Sequence, residues 1–316
     1  MKKRVLVTGA TGFLGRHLLP LAQKKYASAD VVGVSSKDYD LMHSGPAEKM
    51  FLDLQPEIVI HLAAYSGGIG ISRVVPADFY YRNTLLTAQV FQQAALHKAK
   101  RLVYTMGGCS YPATARSPID EDQMWHGYPQ KESAGYSTAK MMGLVASESY
   151  RTQYGLNSIV LIPGNMYGEY DNYRNNESHV VPAMIRRFYE AKLNNAPEVV
   201  MWGTGTPTRD FVHAGDVAKC LLALIEREDL HGPINISNGQ STPIKELCAR
   251  IAQLTGYRGQ IRWDTSKPDG QMVKIFDVTR LNSLGLKCDT SLEAGLEKTI
   301  RWFSANYAGK GDGLRL

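Results

Sequence analysis

Arg4-Val5-Leu6-Val7-Thr8 runs directly into Gly9-Ala10-Thr11-Gly12-Phe13-Leu14-Gly15, and this junction decides the fold. The first five residues are a short, mostly β-branched apolar run, the pattern of a strand buried on both faces. Phe13 to Gln23 then reads as a helix. Between the two stand three glycines at GxxGxxG spacing. Glycine permits a tight turn and a close backbone approach to a pyrophosphate. The helix N-terminus behind it offers unpaired N–H groups and a partial positive charge. A glycine triplet alone is weak, but placed between strand and helix it predicts a dinucleotide cradle at Gly9, Thr11, Gly12, Phe13 and Leu14.

The same alternation continues outward. Strands are expected at Val31–Val34, Ile58–Leu62, Leu102–Thr105 and Asn157–Pro163, with helices at Thr84–His97 and Tyr136–Tyr154. This β-α-β rhythm predicts an α/β protein with a doubly wound parallel sheet of the Rossmann type. Beyond about residue 166 the rhythm loosens. Tyr170 to Ser178 is polar and reads as a loop. Helices are expected at 180–192, 216–227, 243–255 and 292–307, and a strand and turn at 199–205. The predicted organisation is a dinucleotide-binding domain over 1–166, with 210–230 returning to it. A smaller α/β C-terminal substrate lobe occupies 167–316.

The second strand ends in Val34-Ser35-Ser36-Lys37. An NAD site usually carries an acidic side chain here to hold the ribose 2′-hydroxyl. Ser35, Ser36 and Lys37 can instead donate to a 2′-phosphate, which favours NADP(H), although Asp38 lies close by.

Composition narrows the remaining classes. The net charge of +6 fits an anionic ligand, and the basic residues form no run that would suit nucleic acid. The N-terminal apolar stretch is too short for a signal peptide and no later segment is long enough to span a membrane. The expectation is a cytoplasmic protein without a membrane partner. Cys109, Cys220, Cys248 and Cys288 show no CxxC spacing, so no metal site is expected.

Tyr136 and Lys140 stand four apart in Tyr-Ser-Thr-Ala-Lys, on one face of a predicted helix. An ammonium beside a phenol favours the phenolate and lowers the tyrosine pKa. Such a tyrosine can exchange a proton with a carbonyl oxygen while hydride moves at the adjoining carbon.

With the glycine loop and His61-Leu62-Ala63-Ala64, this pair resembles the extended short-chain dehydrogenase/reductases. Further segments narrow the resemblance: Tyr65-Ser66-Gly67-Gly68-Ile69, Pro76-Ala77-Asp78-Phe79, Cys109-Ser110-Tyr111-Pro112, Asn165-Met166-Tyr167-Gly168, His179-Val180-Val181-Pro182, Trp202-Gly203-Thr204-Gly205 and Lys267-Pro268-Asp269-Gly270. Together they resemble the GDP-L-fucose synthase family, from the first strand to about Trp302. The resemblance implies NADPH-dependent 3,5-epimerisation and 4-reduction of GDP-4-keto-6-deoxy-D-mannose. It implies Cys109 as base-like and His179 as acid-like residue, with Tyr136 and Lys140 completing the catalytic set. It extends the cofactor contacts to Ala63, Ala64, Lys140, Pro163, Asn165, Met166 and His179. It places the GDP-sugar against Arg187, Trp202, Arg209 and Asp269, and it implies a homodimer built on the helices 84–97 and 136–154.

One departure stands out. The Ser or Thr that these enzymes carry four residues before the Tyr of their Tyr-Pro turn is here Gly107. Glycine has no hydroxyl to polarise a ketone. Three outcomes follow: Thr105 or water fills the gap, the chain is mainly an epimerase, or the nucleotide sugar differs. A non-catalytic NADP-sensing protein is the reading from another class.

Overall fold

The computed structural model describes residues 3–307 of the 316-residue chain. Six strands form one parallel sheet in the spatial order Pro233–Ile236, Ser158–Pro163, Arg101–Thr105, Ile58–His61, Arg4–Thr8, Asp30–Val34. The register sets Thr8 beside both His61 and Val34, and His61 beside Tyr104. All strand C-termini therefore share one edge, where ligands of such sheets bind.

Helices cover both faces, as the alternation required. On one side, Phe13–Lys25 and Ala214–Leu224 bury Leu14, Leu18, Val217 and Leu221 against Val5, Val7 and Ile60. On the other, Ser44–Leu54, Pro76–Leu96 and Ala134–Tyr154 bury Phe51, Phe91 and Leu144 against Leu6, Val59 and Leu102. The inner strands Ile58–His61, Arg101–Thr105 and Ser158–Pro163 are buried along their whole length and mostly apolar because both of their faces are covered. Truncating a residue such as the fully buried Leu18 to Ala would cost about 2–5 kcal/mol.

A third apolar cluster forms the second lobe. Helices Val180–Leu193, Ile244–Thr255 and Leu292–Asn306 enclose Ile185, Phe188, Leu247, Ile251, Leu296 and Phe303. Its strands are short. Glu198–Trp202 pairs with Gln260–Asp264, and Thr208–Arg209 lies between Thr242–Pro243 and Val273–Lys274. The strand Asn165–Tyr167 pairs with Phe211–His213 next to the main sheet.

Several elements exceed the expectations from sequence, among them one helix that starts early, one unexpected helix and one unexpected strand of the main sheet. The helix expected from Thr84 begins at Pro76, since proline suits a first helical turn, where the amide it lacks would be unpaired anyway. Ser44–Leu54 is a helix despite Gly45-Pro46 at its start. Pro233–Ile236 is a strand built around a buried Asn235, whose side chain reaches Tyr111 Oη, Ile119 O and Asp277 O. All four cysteines are free thiols; Cys220 and Cys288 sulfurs lie 3.9 Å apart.

Candidate active site

The glycine loop sits at the sheet's C-terminal edge. Gly9 has a left-handed φ of 68°, and a β-carbon there would stand 2.7 Å from the Ala63 amide nitrogen. Only glycine lets the loop lie so close to the end of the third strand. Gly12 starts the helix Phe13–Lys25 with no side-chain cap, so its first amides face outward for an anion. Thr11 and Gly12 are exposed, whereas the Leu14 side chain is core and offers only its backbone. This bare cradle fits the pyrophosphate of a dinucleotide. Ala63 and Ala64 follow the strand Ile58–His61, Pro163 ends the strand Ser158–Pro163, and Asn165 and Met166 open the short strand after it; Asn165 Nδ2 donates to Asp210 O at 2.9 Å.

At the second strand, Asp38 Oδ2 accepts from the Ser35 amide at 2.8 Å and from Ser35 Oγ at 2.7 Å. These bonds hold the exposed Asp38 carboxyl below its ordinary pKa. Ser35 is thus engaged, and Ser36 and Lys37 are left open to solvent.

Tyr136, Lys140 and Cys109 converge where the fourth strand ends. A β-carbon on Gly107 would meet Cys109 Sγ at 3.3 Å and Tyr136 Oη at 3.4 Å, so thiol and phenol flank one small volume. Gly108 passes so tightly against Phe276, which packs with Met106 and Tyr111 on one face of the main sheet, that a β-carbon would collide with its ring. Thr105 does not fill the gap at Gly107, because it is buried and its Oγ1 donates to His61 O at 3.0 Å.

The titration of the pair differs from the simple expectation. Burial, with lesser effects from Cys109 and Tyr104, pushes the Tyr136 phenol well above its ordinary pKa. Burial also pulls Lys140 down to about 7. The lysine therefore does not lower the tyrosine here. Its Nζ lies over the Tyr104 ring, 4.2 Å from the centroid, and desolvation outweighs the charge it could lend. Tyr136 is neutral across physiological pH, the form that donates a proton.

His179 caps the helix Val180–Leu193. Its segment packs on the glycine turn after the third strand: Gly68 N donates to Glu177 O at 2.7 Å. That turn adjoins Phe79, whose ring meets Tyr136 edge-on at 6.2 Å. Loss of water around the His179 imidazole lowers its pKa from the ordinary value.

In the second lobe, Arg187 is exposed and donates to Val200 O at 3.1 Å. Trp202 is 67% exposed, unusual for so large an apolar ring. Arg209 is half-buried and donates to Thr208 O at 2.8 Å. Asp269 accepts from the Thr204 amide at 2.7 Å and from Thr204 Oγ1 at 2.8 Å, which fixes the turn after Trp202.

Two residues escaped sequence reasoning. Lys274 pairs in register with Arg209, and burial lowers its pKa while the charge of Cys109 raises it and that of Arg209 lowers it. Tyr104 carries Lys140. Neither has a local signal, since both are placed by strand register. Among the described residues no His, Cys, Asp or Glu cluster suits a metal, and no helix is long and apolar enough to cross a membrane.

The chain belongs to the NAD dependent epimerase/dehydratase family, whose profile matches residues 5–237. Within that class it is similar to the GDP-L-fucose synthases. The Escherichia coli enzyme is 34% identical over 96% of this chain and 98% of its own. That of Sinorhizobium fredii is 36% identical over 97% of each. Among solved structures, a GDP-6-OMe-4-keto-L-xylo-heptose reductase from C. jejuni is 27% identical, with a TM-score of 0.87 over 96% of this chain and 98% of that one. An NADP-bound GDP-L-fucose synthetase from Naegleria fowleri is 25% identical, with a TM-score of 0.89 over 97% and 96%.

Proposed function

We propose that the chain epimerises C3 and C5 and reduces C4 of GDP-4-keto-6-deoxy-D-mannose with NADPH, giving GDP-L-fucose, or does the same to a closely related GDP-4-keto sugar. The observation that carries this is the convergence of Cys109 Sγ and Tyr136 Oη on the space beside Gly107. A ketone at C4 acidifies the protons on C3 and C5. A thiol beside the phenol that serves the C4 oxygen is placed to move those protons.

In this reading Cys109 takes a proton from one face of the sugar and His179 returns one to the other. NADPH, when bound, supplies the hydride for C4. Neutral Tyr136 then gives its proton to the C4 oxygen, while Lys140 holds the nicotinamide ribose. Gly9, Thr11, Gly12, Phe13 and Leu14 hold the pyrophosphate, and Ser36 with Lys37 the 2′-phosphate. Arg187 and Arg209 hold the diphosphate of GDP, since guanidinium forms bidentate pairs with such groups. Trp202 and Asp269 belong to the nucleoside end. Residues 1–166 serve the dinucleotide and 167–316 mainly the GDP-sugar. A cytoplasmic homodimer completes the proposal. Tyr80, Met142 and Val145, each about half exposed on Pro76–Leu96 and Ala134–Tyr154, are the support for a helical interface.

Incubation with GDP-4-keto-6-deoxymannose and NADPH tests the chemistry. Loss of absorbance at 340 nm reports reduction, and solvent deuterium at C3 and C5 reports epimerisation. No loss of absorbance would remove the reductase; no label would remove the epimerase.

A further inference from the structure

Tyr104 is wholly buried in the strand Arg101–Thr105. Its ring is fixed on several sides. Oη lies 2.7 Å from Thr87 Oγ1 and 3.3 Å from the Lys140 carbonyl oxygen. His61 stacks within 18° of its plane at 5.8 Å, and Phe91 packs at 5.5 Å. The helix Ala134–Tyr154 can settle on the ring only because residue 143 is glycine. A β-carbon there would stand 2.7 Å from Cδ1 and from Cζ.

Lys140, one turn earlier on that helix, lays its ammonium over the ring face. The face of an aromatic ring is electron-rich and attracts a cation, more strongly where water is excluded. The titratable groups around this ammonium are His61 on the third strand, Tyr104 on the fourth, Cys109 just after it, and Tyr136 on the same helix. His61 is kept neutral by burial, and against the loss of water the charge of Cys109 is the one influence here that favours the ammonium.

We propose that Tyr104 is a positioning residue: its ring face seats the Lys140 ammonium, holding it charged beside Tyr136 and ready for the cofactor ribose. The proposal rests on the role given to Lys140 above. The ring does what a carboxylate would do in a wetter site, without adding a charge that would repel a dinucleotide.

The test replaces residue 104 and follows kcat/KM for reduction against pH, together with NADPH affinity by nicotinamide fluorescence. Tyr104→Phe keeps the ring and should stay within about twofold of wild type in both. Tyr104→Leu should move the alkaline limb down by about one pH unit and weaken NADPH about tenfold. Because leucine could also loosen the fold, phenylalanines of increasing ring fluorination at position 104 keep the shape while draining the face of charge. The limb and the affinity should fall stepwise along that series. A flat series, or equal shifts for Phe and Leu, would overturn the seat. Should the wild type fail to reduce the GDP-4-keto sugar, the proposed function falls, while the NADPH affinities across the series still decide the role of Tyr104.

Discussion

Gly107 lies tight against Tyr136: a β-carbon would stand 3.1 Å from Cε1 of the ring, so the ring would have to give by a few tenths of an ångström. Tyr136 is itself braced by Phe79, and on the far side of the loop Phe276 presses on Gly108. A side chain at 107 therefore has to displace the phenol or the thiol that flank it.

Gly107→Ser should accordingly fail to gain the 10²–10³ in rate that an oriented donor commonly supplies. Crowding of this kind costs about 1–3 kcal/mol, so C4 reduction should instead drop at least about tenfold. Gly107→Ala should behave alike, because the clash comes from the β-carbon. NADPH consumption at saturating substrate measures both, and a serine variant faster than wild type would show that the ring gives way.

How far the sequence announced this site depends on what places each residue. The strands Arg4–Thr8, Ile58–His61, Arg101–Thr105 and Ser158–Pro163 were legible because both faces are buried, leaving continuous apolar runs. Tyr136 and Lys140 were legible because helical spacing is local. The helix Ser44–Leu54 was hidden, since Gly45 and Pro46 signal a turn equally well when they open a helix. The strand Pro233–Ile236 was hidden because four residues around a buried asparagine carry little pattern. Tyr104 under Lys140, Lys274 beside Arg209, and Thr105 turned toward His61 follow from register between strands far apart in sequence. No single segment encodes them.

Lys140 sets a pH dependence on stability. Its folded pKa of about 7 lies below the ordinary 10.5, so between these values the unfolded chain holds more protons than the folded one. Stability from this group therefore rises as pH climbs through that window, and its full cost is felt below about 7. The cost is at most roughly 5 kcal/mol. Lys140→Met should raise the urea midpoint at pH 6–7, and the gain should shrink toward pH 10. The same variant should lose at least about 100-fold in reduction. A midpoint gain that does not change with pH would place the lysine in water.

Asp38 stands where the proposed 2′-phosphate contacts begin. Its carboxylate draws in the Ser35 amide and hydroxyl at the end of the second strand, beside Ser36 and Lys37. A negative charge there opposes a 2′-phosphate and suits a ribose diol. Asp38→Ala frees Ser35 and removes that charge. It should shift the ratio of kcat/KM for NADPH over NADH about fivefold toward NADPH, the size of one solvent-screened charge contact. An unchanged ratio would mean that the adenosine ribose lies elsewhere.

Asp269 fixes the turn that presents Trp202, and these are the two residues proposed above for the nucleoside end. Both of its oxygens are taken by Thr204, and Gly203 between them has a left-handed φ of 78° with no room for a β-carbon beside Asp269. Removing the carboxylate strands the Thr204 amide and releases the exposed indole from its set position. Asp269→Ala should weaken GDP binding about tenfold by calorimetry, the worth of a charge-assisted hydrogen bond. Gly203→Ala should match it, because its side chain displaces the carboxylate and strains the turn. Thr204→Val keeps the amide bond and loses only the hydroxyl, so about threefold is expected. If Gly203→Ala and Thr204→Val bound GDP normally while Asp269→Ala did not, the carboxylate would be touching the nucleotide itself, and the turn would be incidental.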